Sequence, residues 1–207
     1  MATARRDSKT RLLDAALKVV RTRGYNATRI DDICAEAGVT KGSFFHHFSG
    51  KEDLALAAVA HWVEVTGGLF EEAPYHAPVA PLDRLLAYVD FRKAIIEGDI
   101  AAFTCLVGTM AQEVYESHPA IRDACAASIL GHAATLEPDI EAAMRDRGME
   151  ADWTPASLAR HTQAVLQGAF ILAKATGDRE VALESVDHLR RYLEMLFAFH
   201  PGKKEKS

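Results

Sequence analysis

The sequence predicts an all-α protein. Apolar residues recur at helical spacing along nearly the whole chain, and no stretch alternates apolar and polar residues as a half-buried strand does. The chain has 207 residues, of which 49% are hydrophobic and 26% charged, and this suits one or two globular domains. The three cysteines, Cys34, Cys105 and Cys125, are widely spaced and fit neither a disulfide framework nor a zinc site. We therefore expect a reducing, cytoplasmic setting.

Charge is unevenly distributed along the chain. Residues 1–50 contain nine Lys or Arg and five Asp or Glu, a net charge of +4, which leaves −9 for residues 51–207. A basic segment on an acidic body can contact nucleic acid with one end only. No apolar run is long enough for a signal peptide or a membrane span, so we expect no membrane partner.

Capping residues mark the start of the first two predicted helices. Apolar residues at helical spacing indicate a helix over 8–23 with Ser8 as its N-cap. A capping-box pattern at Thr28 and Asp31 predicts a second helix over about 29–37.

A short helix and a longer one follow. Thr40 is the expected N-cap of a helix over about 40–46. Ser49 and Glu52 form another capping-box pattern, which opens a helix over about 50–66.

A proline-rich loop over 73–81 separates these helices from the rest. Further helical patterns cover 82–97, 99–116, 119–147, 155–176 and 179–199. Pro138 is expected to kink or divide the third of these. The predicted architecture is therefore about nine helices in two domains. A three-helix head covers residues 1–50, a helical domain covers 51–207, and the helix over 50–66 connects them.

The second and third predicted helices have the pattern of a helix-turn-helix with glycine in the turn. The recognition helix of this motif places its N-terminal residues in the major groove, which favours small or polar side chains there. The third helix begins with four such residues, Thr40, Lys41, Gly42 and Ser43. The sequence thus predicts a head that binds DNA.

The remaining residues of this helix divide between core and DNA. Phe44 and Phe48 are expected to hold the helix against the core. The residues expected to face the duplex or its phosphates are Phe45, His46, His47 and Lys51.

Residues 28–56, "TRIDDICAEAGVTKGSFFHHFSGKEDLAL", resemble the DNA-binding signature of the TetR (tetracycline repressor) family of bacterial transcriptional regulators. The resemblance implies that Thr28 and Arg29 contact the DNA backbone, that residues 40–43 meet the groove, and that His46, His47 and Lys51 contact phosphates. The family often has Tyr where this chain has Phe45, which cannot donate a hydrogen bond.

The resemblance also implies a function. We expect a homodimeric regulator, most often a repressor, that a small-molecule effector releases from a palindromic, double-stranded operator. The sequence contains no Glu-x-x-His pair, nucleophile motif or phosphate-binding glycine loop, so we expect neither an enzyme nor a cofactor or metal. The alternatives are a packed helical corner, a helical ligand-binding module that does not bind DNA and, less favoured, a helical enzyme.

The resemblance further implies that residues beyond about 70 bind the effector and dimerise through the last two long helices. Apolar stripes on those helices predict a dimer interface, with filling of the protomer's own core as the alternative. The predicted interface residues are Val165, Ala169, Leu172, Val186, Leu189, Leu193 and Leu196.

Aromatic and soft side chains are candidates for an effector pocket, although such residues are also ordinary core residues. The candidates are Trp62, Phe91, Phe103, Cys105, Met110, Gln167 and Phe170. Cys105, in "AAFTCLVGTMAQEVYE", resembles a branch of the family in which some members sense electrophiles or oxidants through a cysteine. Its predicted place in the middle of a helix gives little help from the helix dipole, and an inert cysteine is the other interpretation.

Overall fold

The computed structural model describes residues 7–198, and this part of the chain is all-helical, as predicted. It contains eleven α-helices and one 3-10 turn, Pro74–His76, and no strand. The helices are α1 Ser8–Arg23, α2 Ile30–Ala37, α3 Lys41–His47, α4 Lys51–Glu71, α5 Pro81–Ala94, α6 Ile100–Phe103, α7 Leu106–Val114, α8 Pro119–Ala134, α9 Glu137–Asp146, α10 Pro155–Thr176 and α11 Glu180–Ala198. Over the same residues, no helix combines the length and the apolar character that a membrane span requires.

The chain forms two compact units. Within residues 7–198, the first unit comprises the residues up to Glu72 together with Asp99–Ile129, and the second comprises Ala73–Gly98 together with the residues from Leu130. In the first unit, α1, α2 and α3 share one apolar core with α4, α7 and the start of α8. Buried side chains from each of these helices meet in that core, among them Leu12, Ile33, Phe44, Leu54, Leu106 and Ile121.

Two of the predicted N-caps are wrong by one residue. The carboxylate of Asp7, and not Ser8, caps α1 by accepting a hydrogen bond of 2.7 Å from the Thr10 N–H. At α2, the Asp32 carboxylate accepts from the Arg29 N–H at 2.9 Å, so the expected pair of Thr28 and Asp31 does not form the cap. A carboxylate accepts from an amide more strongly than a hydroxyl does, which favours the aspartates here.

Of the N-caps predicted for α3 and α4, the first is confirmed and the second is wrong. Thr40 caps α3 as predicted, because its hydroxyl accepts from the Ser43 N–H at 3.2 Å. Ser49 does not cap α4. Its hydroxyl and its backbone N–H both donate to Asp53, and Gly50 is the residue before the helix.

Three predicted helix boundaries are also corrected. Helix α4 continues past the predicted end at residue 66, through two glycines, to Glu71. The helix predicted over 119–147 is divided before Pro138, which lies in the first turn of α9, where its missing N–H costs nothing. The helix predicted over 99–116 is divided at Thr104, whose extended backbone separates α6 from α7.

This division changes the position of Cys105. The residue is the N-cap of α7, with its Sγ accepting from the Gly108 N–H at 3.4 Å, so the predicted mid-helix position is wrong. Because two of the predicted helices are each divided into two, residues 7–198 contain eleven helices where about nine were expected.

Candidate DNA-binding interface and effector region

The turn between α2 and α3 is fixed by the chain itself. Helix α2 ends at Gly38, whose φ of 62° lies in the left-handed region that glycine adopts without strain. From α1, the guanidinium of Arg11 donates to the carbonyls of Ala37 at 3.3 Å and Gly38 at 3.4 Å. These bonds satisfy carbonyls at the end of α2 and orient α3 relative to α1.

Helix α3 has a buried face and an exposed face. Phe44 and Phe48 are buried in the core of the first unit, as predicted. The adjacent Phe45 is 56% exposed. The residues exposed on α3 and at its N-cap are Thr40, Lys41, Gly42, Phe45 and His46. Helix α3 therefore presents small, polar and cationic groups at its N-terminal end while two aromatic rings anchor it.

Lys41 and Arg29 supply positive charge beside this face. The Lys41 ammonium lies 2.8 Å from a carboxylate oxygen of Asp31 on α2, and both side chains are exposed. Such an exposed pair contributes only about 0–1 kcal/mol, so a phosphate or base could replace the carboxylate at little cost. Arg29, at the N-cap of α2, is exposed as well.

Three residues expected to contact DNA already hold parts of the protein together. Thr28 is buried, and its hydroxyl donates to the Gly24 carbonyl at 2.6 Å. Nε2 of His47 is 2.7 Å from the Ser8 hydroxyl on α1. A direct side-chain contact with DNA would require these hydrogen bonds to be exchanged.

The third such residue is Lys51. Its ammonium lies 4.2 Å from the centre of the Tyr25 ring and donates to the Asn26 carbonyl at 3.4 Å. Partial burial lowers the pKa of Lys51, and the nearby Glu113 opposes this effect. Lys51 thus helps to hold the loop over 24–28, which leads into α2.

The same loop is held by a residue that the sequence did not single out. The Glu113 carboxylate, on α7, accepts from the Asn26 N–H at 2.7 Å, and the Glu113 carbonyl accepts from the Asn26 side-chain amide at 3.4 Å. Helix α7 is thereby attached to the start of the helix-turn-helix. The contact spans 87 residues of sequence and has no local signal.

The candidate effector residues are divided between the two units. Trp62, Phe103, Cys105 and Met110 lie in the first unit, and Phe91, Gln167 and Phe170 lie in the second. Met110 is buried in the apolar core, and the Arg21 guanidinium lies 5.3 Å from the Trp62 ring centre. Phe170 is also buried.

The second unit contains a group of polar side chains around the hydroxyl of Tyr88. Nε2 of His132 lies 2.9 Å from this hydroxyl, the Gln163 amide donates to it at 2.9 Å, and the Arg92 guanidinium donates at 3.5 Å. Tyr88 and Gln163 are buried, and Arg92 is only 8% exposed. We call Tyr88, Arg92, His132 and Gln163 the Tyr88 cluster.

Burial shifts the proton equilibria in and beside this cluster. Burial and the charge of Arg92 lower the pKa of His132 to about 4, so this imidazole is neutral at pH 7. Burial, with a smaller contribution from Tyr88, raises the pKa of the neighbouring Tyr75 to about 12. Arg92 is thus the group of the cluster that carries charge at pH 7.

Tyr88, Arg92 and Gln163 are absent from the predicted site residues, although the sequence contains a signal for two of them. Leu85, Tyr88, Val89 and Arg92 have the i, i+3, i+4, i+7 spacing of one buried helix face. A charged residue at such a core position is unusual and is a candidate for function.

We expect protein stability to depend on the charge of His132. Its pKa is about 4 when folded, against 6.5 for a free imidazole, so the unfolded state takes up the proton first as pH falls. Stability is therefore lost between about pH 7 and pH 4, by up to about 3 kcal/mol. The measurement is the free energy of unfolding in urea for wild type and for His132→Gln, which keeps a polar partner for Tyr88. The difference between the two proteins should change across this range, and a constant difference would contradict the assignment.

Most of the predicted dimer-interface residues are buried or half-buried within the protomer itself. Val186, Leu189 and Leu193 are buried in the second unit, where α11 packs against α5 and α10. Ala169 is buried as well, Val165 and Leu196 are half-buried, and Leu172 is 48% exposed. Other faces of α10 and α11 expose large apolar side chains, namely Ile171, Leu172, Tyr192 and Met195.

Comparisons with known proteins identify relatives of both parts of the chain. Residues 12–58 match the family described as "Bacterial regulatory proteins, tetR family", and residues 81–189 match that described as "Tetracyclin repressor-like, C-terminal domain". The chain is 28% identical over 167 residues to the transcriptional regulator AcuR of Cereibacter sphaeroides, covering 79% of this chain and 74% of that protein.

Solved structures show the same fold. A regulatory protein TetR from Rhodobacter sphaeroides superimposes with a TM-score of 0.78 at 24% identity, covering 89% of this chain and 98% of that one. A cysteine mutant of the regulator CifR, complexed with a 26bp double-strand operator DNA, gives a TM-score of 0.73 at 23% identity and covers 92% and 98% of the two chains.

Proposed function

Because the chain belongs to the TetR family and is a DNA-binding transcriptional regulator, we propose that it is a repressor that binds a palindromic operator as a homodimer and is released by a small-molecule effector. The observation that carries the proposal is the exposed polar N-terminal end of α3, which Phe44 and Phe48 anchor from behind. Such a helix has the form required for insertion into a major groove. The protein acts where its DNA lies, in the cytoplasm.

The residues at the N-terminal end of α3, together with Arg29, Phe45 and His46, take the direct roles. Ser43 is half-buried, and the others are exposed. Thr40, Lys41, Gly42 and Ser43 contact base edges or nearby phosphates, and Arg29 and His46 contact the backbone. Phe45 contributes van der Waals contacts, since it has no hydroxyl. Thr28, His47 and Lys51 support the loop over 24–28 and α1, and reach phosphates only by exchanging their present partners.

Dimerisation uses α10 and α11. The exposed Ile171, Leu172, Tyr192 and Met195 supply apolar area that water disfavours. A two-fold dimer of this kind places its recognition helices about 34–36 Å apart, which matches successive major grooves.

Effector release follows from differential affinity. The dimer has one conformation that matches both grooves of the operator and another that does not. An effector that binds the second conformation more tightly lowers operator affinity, at most by the ratio of its affinities for the two conformations. The contacts of Glu113 with the loop over 24–28 are one element of the first unit through which α7 and the helix-turn-helix move together.

The experiment is a salt titration of operator binding. We expect Lys41→Ala to lower the affinity for the operator about tenfold or more, because a groove contact is lost. Lys51→Ala should weaken binding to all sequences and reduce the salt slope by about one unit if it reaches a phosphate. The DNA is the upstream region of the protein's own gene or a ligand selected from a random library.

Arg145→Ala is the control, because Arg145 is exposed on α9 in the second unit. Its affinity should equal that of wild type. Wild-type affinity and salt slope in both lysine variants would show that α3 does not enter the groove.

Gly42→Ala is expected to separate stability from DNA binding. A Cβ at this position would lie 3.7 Å from the Thr40 hydroxyl, an ordinary contact, so the fold does not require glycine. Alanine should leave stability unchanged or raise it by about 0.5–1 kcal/mol, since glycine is unfavourable in helices. Operator affinity should nevertheless fall, because the methyl group obstructs close approach to DNA. Gly131→Ala in α8, where a Cβ meets no atom within 4 Å, is the control that should keep operator affinity. Unchanged affinity in Gly42→Ala would contradict the groove contact.

A further inference from the structure

Within the second unit, the Tyr88 cluster brings polar side chains from α5, from the end of α8 and from α10 to one point. Tyr88 and Arg92 come from α5, His132 from α8 and Gln163 from α10, and each of the last three lies within 3.5 Å of the Tyr88 hydroxyl. Placing a guanidinium inside a protein costs free energy that apolar packing would avoid. A group of this composition is therefore a candidate binding site rather than ordinary core.

The chemistry of the cluster favours an anion. A guanidinium remains positively charged, and its five N–H groups include pairs that match both oxygens of a carboxylate. Coulomb attraction is stronger in a protein interior than in water, so the burial of Arg92 increases its preference for a negative ligand. The neutral imidazole of His132 and the amide of Gln163 add hydrogen-bonding groups without adding negative charge.

Aromatic rings surround these groups. The Phe170 ring centre lies 5.7 Å from the Arg92 guanidinium, and the Tyr75 ring lies 5.3 Å from Tyr88 and 5.7 Å from Phe91. Rings in this position suit the apolar body of a ligand whose charged end meets Arg92.

We propose that the Tyr88 cluster binds the effector and that the effector is a small organic carboxylate with an apolar body. Arg92 holds the carboxylate, and the Tyr88 hydroxyl, itself bound by Gln163, positions the guanidinium. The proposal rests on the proposed function, because it assigns the chemical class of the molecule that releases this regulator from its operator.

The test measures ligand binding by the full-length protein without DNA, using probes that differ in charge and little in shape. Benzoate is compared with benzamide, and hexanoate with hexanamide, by isothermal titration calorimetry. We expect each carboxylate to bind at least about tenfold more tightly than its amide. Arg92→Met should weaken carboxylate binding about 10- to 100-fold and leave amide binding unchanged. Arg145→Met, on the exposed surface of α9, should bind all probes as wild type does.

Tyr88→Phe is the second variant, because Arg92→Met alters a buried site and its folding must be checked by circular dichroism. Removal of only the hydroxyl should weaken carboxylate binding about three- to tenfold and retain the fold. The proposal is overturned if neither carboxylate binds, if carboxylates and amides bind equally, or if both variants bind carboxylate as wild type does.

Operator binding by the same preparations separates this proposal from the proposed function. Arg92-dependent carboxylate binding without specific operator binding overturns the proposed function and supports the site. Operator binding that persists when the site is saturated with carboxylate overturns the assignment of this site to the effector. Release of the operator by carboxylate in wild type and not in Arg92→Met supports both.

Discussion

Phe44→Ala is expected to abolish operator binding by loosening α3, the proposed recognition helix. The Phe44 ring is fully buried in the core shared by α1, α2, α3 and α4, and it contacts the Phe48 ring at a centroid distance of 5.7 Å. Removing a buried phenyl ring costs about 3–5 kcal/mol through lost burial and the cavity that remains. Because α3 has only seven residues, it is held mainly by this packing, and its orientation should be lost with the ring.

The adjacent residue provides the matched control. Phe45 is 56% exposed, so Phe45→Ala should change the free energy of unfolding by about 0.5 kcal/mol or less. It removes the same number of atoms one position away and should reduce operator affinity only through lost contacts with DNA. Urea denaturation and a gel-shift titration of both variants provide the comparison. Equal destabilisation by the two substitutions would mean that the buried and exposed faces of α3 are assigned incorrectly.

If the proposed dimer forms through α10 and α11, Leu172→Asp is expected to convert it into monomers. Operator affinity should then fall by about 100-fold or more, since one protomer contacts only one half-site. Leu172 is 48% exposed in the protomer, so the substitution leaves the core of the second unit intact. In a two-fold dimer, the substitution would bury one carboxylate from each subunit in the interface. Unpaired buried charges are strongly unfavourable. Sedimentation velocity at micromolar concentration measures the association state.

Val79→Asp is the matched control for Leu172→Asp. Val79 is 93% exposed in the second unit, so the same charge there should change neither association nor operator affinity. A Leu172→Asp protein that remains dimeric and binds the operator normally would exclude this face of α10 from the interface.

Local chemistry made much of the helix-turn-helix predictable. The buried Phe44 and Phe48, the Thr40 cap and the exposed residues at the N-terminal end of α3 follow from side-chain type at helical spacing. The contact of Glu113 with Asn26 was not predictable, because it joins residues far apart in sequence through packing of α7. The position of Cys105 was misjudged for a related reason: nothing local marks the break at Thr104.

Side-chain type and spacing are enough to predict the all-helical class, the DNA-binding motif and the apolar character of the last two helices. Which apolar face of each helix is buried inside the protomer depends on how the helices pack. Val186, Leu189 and Leu193 face the protomer core, while Leu172, Tyr192 and Met195 are left exposed. Periodicity cannot make this distinction, because burial inside a protomer and burial between protomers select the same side chains. The same holds for Arg92, whose neighbours Tyr88, His132 and Gln163 come together only when α5, α8 and α10 pack.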